Sequence, residues 1–118
     1  LVENNPITVA NDVYGVLITF TEELGSITDI AAADLVIVDK KGKTLVAGVD
    51  YTVELVDGSK EVLKVTLAGD YADYTGLIKI STAEKVRYIK DRAENTIETF
   101  KDKKGTVKVP TTSIRNNS

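Results

Sequence analysis

Val13-Tyr14-Gly15-Val16-Leu17-Ile18-Thr19-Phe20 (residues 13–20) alternates with a period of two. Tyr14, Val16, Ile18 and Phe20 fall on one side of an extended chain. Gly15, Leu17 and Thr19 fall on the other. That period sets one row against a core and the other toward water, which is the pattern of a half-buried strand. Gly15 has no side chain to pack and marks a bulge or a close backbone approach.

The same reading extends outward. Tyr51, Val53 and Leu55 alternate with Thr52, Glu54 and Val56, and Leu63, Val65 and Leu67 with Lys64 and Thr66. Ile78 and Ile80 flank Lys79, and Asp34 to Asp39 is a continuous apolar run that reads as a central strand. Turn residues separate these runs at Asn11-Asp12, Lys41-Gly42-Lys43, Asp57-Gly58-Ser59 and Lys104-Gly105-Thr106. Asp57-Gly58 between two alternating runs predicts a hairpin. Strands are expected over 7–9, 13–20, 35–39, 51–56, 61–67, 77–81 and 96–100, with short extra strands at 86–89 and 106–109. Helix is confined to 26–34, capped by Ser26 or Thr28, and to a turn at 82–85. Neither is long enough to cover a sheet, so sheet must pack on sheet. The expectation is an all-β sandwich of about seven strands. It occupies residues 1–110, and the polar stretch 111–118 reads as a linker or tail.

With 118 residues, 42% of them apolar, the chain has room for one core. That core must be built from Val, Ile and Leu, since there are two Phe and no Trp or Met. The net charge of -3 argues against a nucleic-acid partner, which calls for a basic face. Lys101, Lys103, Lys104 and Lys108 cluster late, and read as a solvated edge strand and turn before they read as a polyanion patch. The absence of Cys rules out disulfides and thiolate metal sites. It suits a Gram-positive surface protein and a cytosolic one equally. No apolar run is long enough to insert in a membrane. The opening Leu1-Val2-Glu3-Asn4 reads as the start of an excised module, with any targeting signal expected elsewhere in a parent protein.

With no His and no Cys, the usual general base and both His-based triads are missing. Glu22-Glu23 is the adjacent carboxylate pair, in a turn where side chains diverge rather than face each other across a cleft. The glycines are scattered, with no phosphate loop. These features predict a chain that is not an enzyme.

Two constellations remain. Asp91, Glu94 and Asn95 bring three oxygen-bearing side chains into five residues, and calcium takes such ligands. Asp12, Glu22, Asp29 and Asp34 are further candidates from the loops. The competing reading has Asp91 and Asn95 holding a turn through backbone hydrogen bonds. The fold requires no cofactor, and calcium is the one these residues bring into question. Tyr71 and Tyr74, with Tyr88, are either a stacking platform for sugars or rings that plug a sandwich end.

Three stretches carry a family likeness. Val16 to Leu24 holds a strand ending in Phe20-Thr21-Glu22 before Leu24. Asp34 to Leu45 reads as a strand, a turn and a following strand. Ile89, Asp91, Ala93 and Asn95 match a pattern that places Gly where this chain has Glu94. Over residues 7–100 the chain resembles a bacterial immunoglobulin-like domain of surface-layer proteins. The resemblance implies an immunoglobulin-like sandwich with Greek-key connections. It also implies an extracellular structural role as a stiff spacer in a cell-surface lattice. The partners would be neighbouring immunoglobulin-like domains and copies of the parent protein. Some members stiffen loops with calcium, and by position Asp91 and Asn95 are the residues that resemblance nominates. Related modules in adhesins and carbohydrate-active proteins share the pattern, so a binding module is the alternative.

Overall fold

The computed structural model describes residues 7–110. Residues 1–6 and the 111–118 tail lie outside them. The strands are β1 (Thr8–Val13), β2 (Gly15–Thr19), β3 (Leu35–Val38), β4 (Tyr51–Leu55), β5 (Val62–Leu67), β6 (Gly76–Thr82) and β7 (Lys103–Lys108). They form one curled, mixed sheet of seven strands in the order β3-β6-β7-β1-β2-β5-β4. Every neighbouring pair is antiparallel except β1 and β7, which run parallel.

Alternation does most of this work. Val16 and Ile18 of β2 face the same cluster as Leu63 and Val65 of β5 and Val53 of β4. Ile37 of β3, Ile78 and Ile80 of β6 and Val107 of β7 join it from the other half of the sheet. Burying one such side chain is worth about 1.5–3 kcal/mol. The all-β expectation holds, and the 57–59 turn joins β4 to β5 with Gly58 at a φ of 79°.

Several expectations are corrected. Asn11-Asp12 is not a turn. β1 runs through it, and the chain reverses at Tyr14, whose φ is 61°. Tyr14 therefore leaves the buried row and stands exposed. β3 is the sheet's end strand rather than a central one, because among the described residues β6 is the one strand paired with it and only the 44–45 segment runs beside its other edge. Residues 96–100 form no strand. Thr96 makes an isolated bridge to Lys90, and Phe100 is anchored to Thr82 through backbone and hydroxyl. The final strand is β7, which covers the expected 106–109 strand as far as Lys108 but starts earlier, at Lys103, and it lies inside the sheet, not at an edge.

Lys104-Gly105-Thr106 is mid-strand, not a turn. Gly105 faces the core so closely that a Cβ would sit 2.7 Å from Val9 and 2.9 Å from Val16. The glycine is a packing residue, which is one of its uses within a strand. The 26–34 helix shrinks to a 3-10 helix at Asp29–Asp34, and Thr28 precedes it without a side-chain cap. Residues 82–85 form no helix, and 86–89 form no strand.

Candidate functional site

The buried carboxylate of Asp34 organises one end of the molecule. It sits where the 3-10 helix meets β3 and is 1% exposed. Its Oδ1 accepts from the Arg87 N–H at 2.9 Å. Its Oδ2 accepts from Tyr88 N–H at 2.7 Å and Ile89 N–H at 2.6 Å. Its own carbonyl accepts from Ala83 N–H at 2.7 Å. Three consecutive amides thus wrap a single anion, and a backbone turn that converges its N–H groups is suited to this. Hydrogen bonds to a charged acceptor are the strong kind, so segment 83–89 is fastened to the sheet without strand pairing.

Tyr51 supports the same corner. Its ring is buried and its single hydroxyl proton is shared between the carbonyls of Ala32 at 2.8 Å and Leu35 at 2.9 Å. Burial pushes this phenol up to about 12. The helix Asp29–Asp34 is therefore tied to β4 from below and to 83–89 from above.

Asp91 and Asn95 do come together, in a loop that closes on itself. Asp91 Oδ1 accepts from the N–H groups of Ala93 and Asn95, each at 2.9 Å. Asp91 N–H donates to Asn95 carbonyl at 2.9 Å, and Glu94 N–H donates to that of Asp91 at 3.0 Å. The Asn95 amide holds the Asp91 carboxyl below its ordinary value. Partial burial opposes that, and Ala93 with the Asn95 and Glu22 side chains adds to it. Glu94 adopts a φ of 68°, the left-handed region, at the position where the resembled pattern has Gly.

A neighbouring stretch laces this loop to the end of β2. Leu24 bridges to Asp91, Gly25 N–H donates to Lys90 carbonyl, and Arg92 pairs with Glu23 at 3.0 Å. Of the other nominated carboxylates, Glu22 lies beside Asp91, whereas Asp34 and Asp12 are engaged elsewhere. Asp34 is enclosed by amides, and Asp12 is paired with Lys64 at 2.7 Å. Among the described residues no three acidic groups converge as a metal cage would require.

Tyr71 and Tyr74 form a tilted pair, with ring centroids 5.6 Å apart at 50°, half-buried against the core. Tyr71 hydroxyl donates to Asp39 Oδ2 at 2.8 Å, and that bond, with burial, pushes the phenol up to about 12. Tyr74 hydroxyl donates to Leu77 carbonyl at 2.6 Å and accepts from Lys40 N–H at 2.8 Å. The Lys40 ammonium lies 5.1 Å above the Tyr74 ring. Asp39 Oδ1 meanwhile accepts from the backbone N–H groups of Lys41 and Lys43, shaping the 39–43 turn. These tyrosines hold that turn against the 71–77 loop. Tyr88 is not part of the pair, and its backbone serves Asp34.

Sequence reading placed Asp34 among possible metal ligands and Tyr51 among core residues, and missed that both are anchors. Asp34 carried one faint signal: it is an acidic residue wedged between three alanines and an apolar strand. Tyr51 carried none beyond its aromatic ring. What the anchors share is a direction of chemistry, since their polar atoms bind this chain's own backbone. Compared with protein-family models, curated proteins and solved structures, the chain matches none of them.

Proposed function

We infer that this chain is a non-catalytic, immunoglobulin-like structural module of a bacterial cell-surface protein, a stiff in-line building block of a surface-layer lattice. It is joined end to end with neighbouring immunoglobulin-like domains, outside the cell. The observation that carries this reading is the direction of two adjacent strands. β1 and β7 run parallel, with Val13 level with Lys108. The chain therefore enters the sheet at the Thr8 end and leaves it at the opposite end. Tension along the chain pulls the two strands past each other. Their cross-links then resist together in shear instead of opening one at a time.

The sheet order supports the sandwich. Divided at β1, it gives β4-β5-β2-β1 and β1-β7-β6-β3. The chain crosses between these halves after β2, after β3 and after β5, as Greek-key connections do. The self-directed anchors around Asp34, Asp91 and Asp39 support the stiffness, because loops tied to the body add little slack.

Single-molecule pulling of a tandem repeat of the domain tests the reading. Pulled from its two ends, the module is expected to unfold at a distinctly higher force than when pulled through β3 and β4, the end strands. Asn11→Ala removes the acceptor that takes the Thr106 N–H at 2.8 Å across the β1–β7 seam, and is expected to lower the end-to-end force. Equal forces in both directions would overturn the in-line role.

A further inference from the structure

The two outer faces of the sheet carry opposite charge. On the β6–β7 side, Lys79 and Lys104 are directly opposite each other across the strands, both exposed. Like charges in that position weaken a sheet. Among the described residues neither lysine enters an ion pair. Exposed Val36 and Leu77 lie on the same face.

On the β2–β5–β4 side an open groove of about 510 Å³ runs past Leu17, Leu55 and Val56. Glu54 and Asp57 form its exposed rim, and neither enters an ion pair among the described residues. The groove's lysine, Lys64, is already engaged. It donates to Asp12 and to the Val13 carbonyl, each at 2.7 Å. One face thus offers apolar side chains beside free cations, and the other an apolar floor beside free carboxylates.

We propose that the β6–β7 outer face of one copy of this chain docks on the β2–β5–β4 groove of the next, Lys79 and Lys104 meeting Glu54 and Asp57. The proposal rests on the reading of the chain as an array module and names the lateral contact of that array. The occupant is a second copy because both kinds of complementarity lie on the same molecule. A polyanion would satisfy the lysines but leave Val36 and Leu77 wet. The contact joins different patches on its two sides, so each copy keeps one patch free for the next, and the copies add on in a ring or an open chain. Each single contact is weak, and its range is set by salt.

Sedimentation velocity of the domain across a concentration series tests this. Association is expected at ionic strength of about 0.05 M and a loss of about tenfold or more in apparent affinity at about 0.5 M. Lys79→Glu with Lys104→Glu makes both faces acidic, and Glu54→Lys with Asp57→Lys makes both basic. All four positions are exposed, and thermal unfolding of each double variant checks that it folds. Each double variant alone is expected to stay monomeric, and an equimolar mixture is expected to associate again.

A wild-type domain that stays monomeric at every concentration and salt overturns the contact. So does a mixture that fails to associate when both variants fold, or wild-type binding to polyphosphate through Lys79 and Lys104 without self-association. A domain that resists end-to-end force but stays monomeric loses this contact and keeps the in-line role. A domain that associates but yields at low force does the reverse.

Discussion

Two aspartates do the same job in opposite surroundings. Asp34 and Asp91 each use a carboxylate to gather backbone amides and close an irregular segment. Asp34 is buried and gathers amides from a segment more than fifty residues away, whereas Asp91 is half-exposed and gathers amides from its own loop. The chemistry is shared, and its consequence is not. Where water can replace the carboxylate, losing it costs little. Where water is excluded, as at the Ile89 N–H, the donor is left without a partner. The same hydrogen-bond pattern is therefore a tertiary anchor at one site and a local turn at the other.

The largest effect is expected at the buried member. Asp34→Ala should cost about 3 kcal/mol, because it strands the buried Ile89 N–H, removes the acceptor of the part-buried Arg87 and Tyr88 N–H groups and leaves a cavity. Asp34→Asn keeps one acceptor oxygen and places an NH2 against the remaining donors, so it should cost less, about 2 kcal/mol. Chemical denaturation of the two variants beside wild type reads both values. Equal and small losses would mean that segment 83–89 is held by Val86, Ile89 and the rest of its apolar contacts alone.

Asp91→Ala should lower the thermal midpoint by only a few degrees. It should also soften the acid limb of stability. A carboxyl held below its ordinary value contributes stability above that value, 3.8, and loses it as the pH falls through the lower folded-state value. Asp12, lowered chiefly by its bond to Lys64, contributes with the same sign. Thermal unfolding from neutral pH down to about pH 2 should therefore show a shallower decline for Asp91→Ala than for wild type. Calcium sharpens the contrast further. A loop closed by its own amides needs no ion, so calcium should leave the wild-type midpoint unchanged. A saturable rise reversed by EDTA would make the loop a metal site and not only a turn.

How far these roles could be read beforehand differs between strand and loop. β4, β5 and β6 were legible because their side chains alternate between core and water, and alternation survives folding unchanged. β7 was legible only in its second half, where a strand is expected over 106–109, because its core-facing positions include Gly105, and a glycine between Lys104 and Thr106 looks like a turn until Val9 and Val16 are seen against it. The reversal at Tyr14 was hidden for the opposite reason: an aromatic residue in phase with Val16 and Ile18 looks like core, and nothing local marks it as left-handed. Asp91 was legible as a turn former, since its partners are two and four residues away. Asp34 was not, since its partners are brought to it only by the folded sheet.

The smallest expected effect lies inside the Asp91 loop. Glu94 occupies a backbone conformation that costs a side-chain-bearing residue about 1 kcal/mol, so Glu94→Gly should raise stability by up to about that amount. The same replacement at a position with ordinary φ would lower it. A loss at Glu94 would place the loop's conformation under the control of the Glu94 side chain.

Amide hydrogen exchange of the wild-type domain tests most directly whether the loops are fastened to the body, as a stiff module requires. The amides of Arg87, Tyr88 and Ile89 should exchange only through global unfolding, as slowly as those of Ile78 and Ile80 in the sheet, while Ala93 and Asn95 exchange sooner through local opening. Exchange at 87–89 as fast as at 93–95 would show that Asp34 does not hold that segment, and would contradict the account.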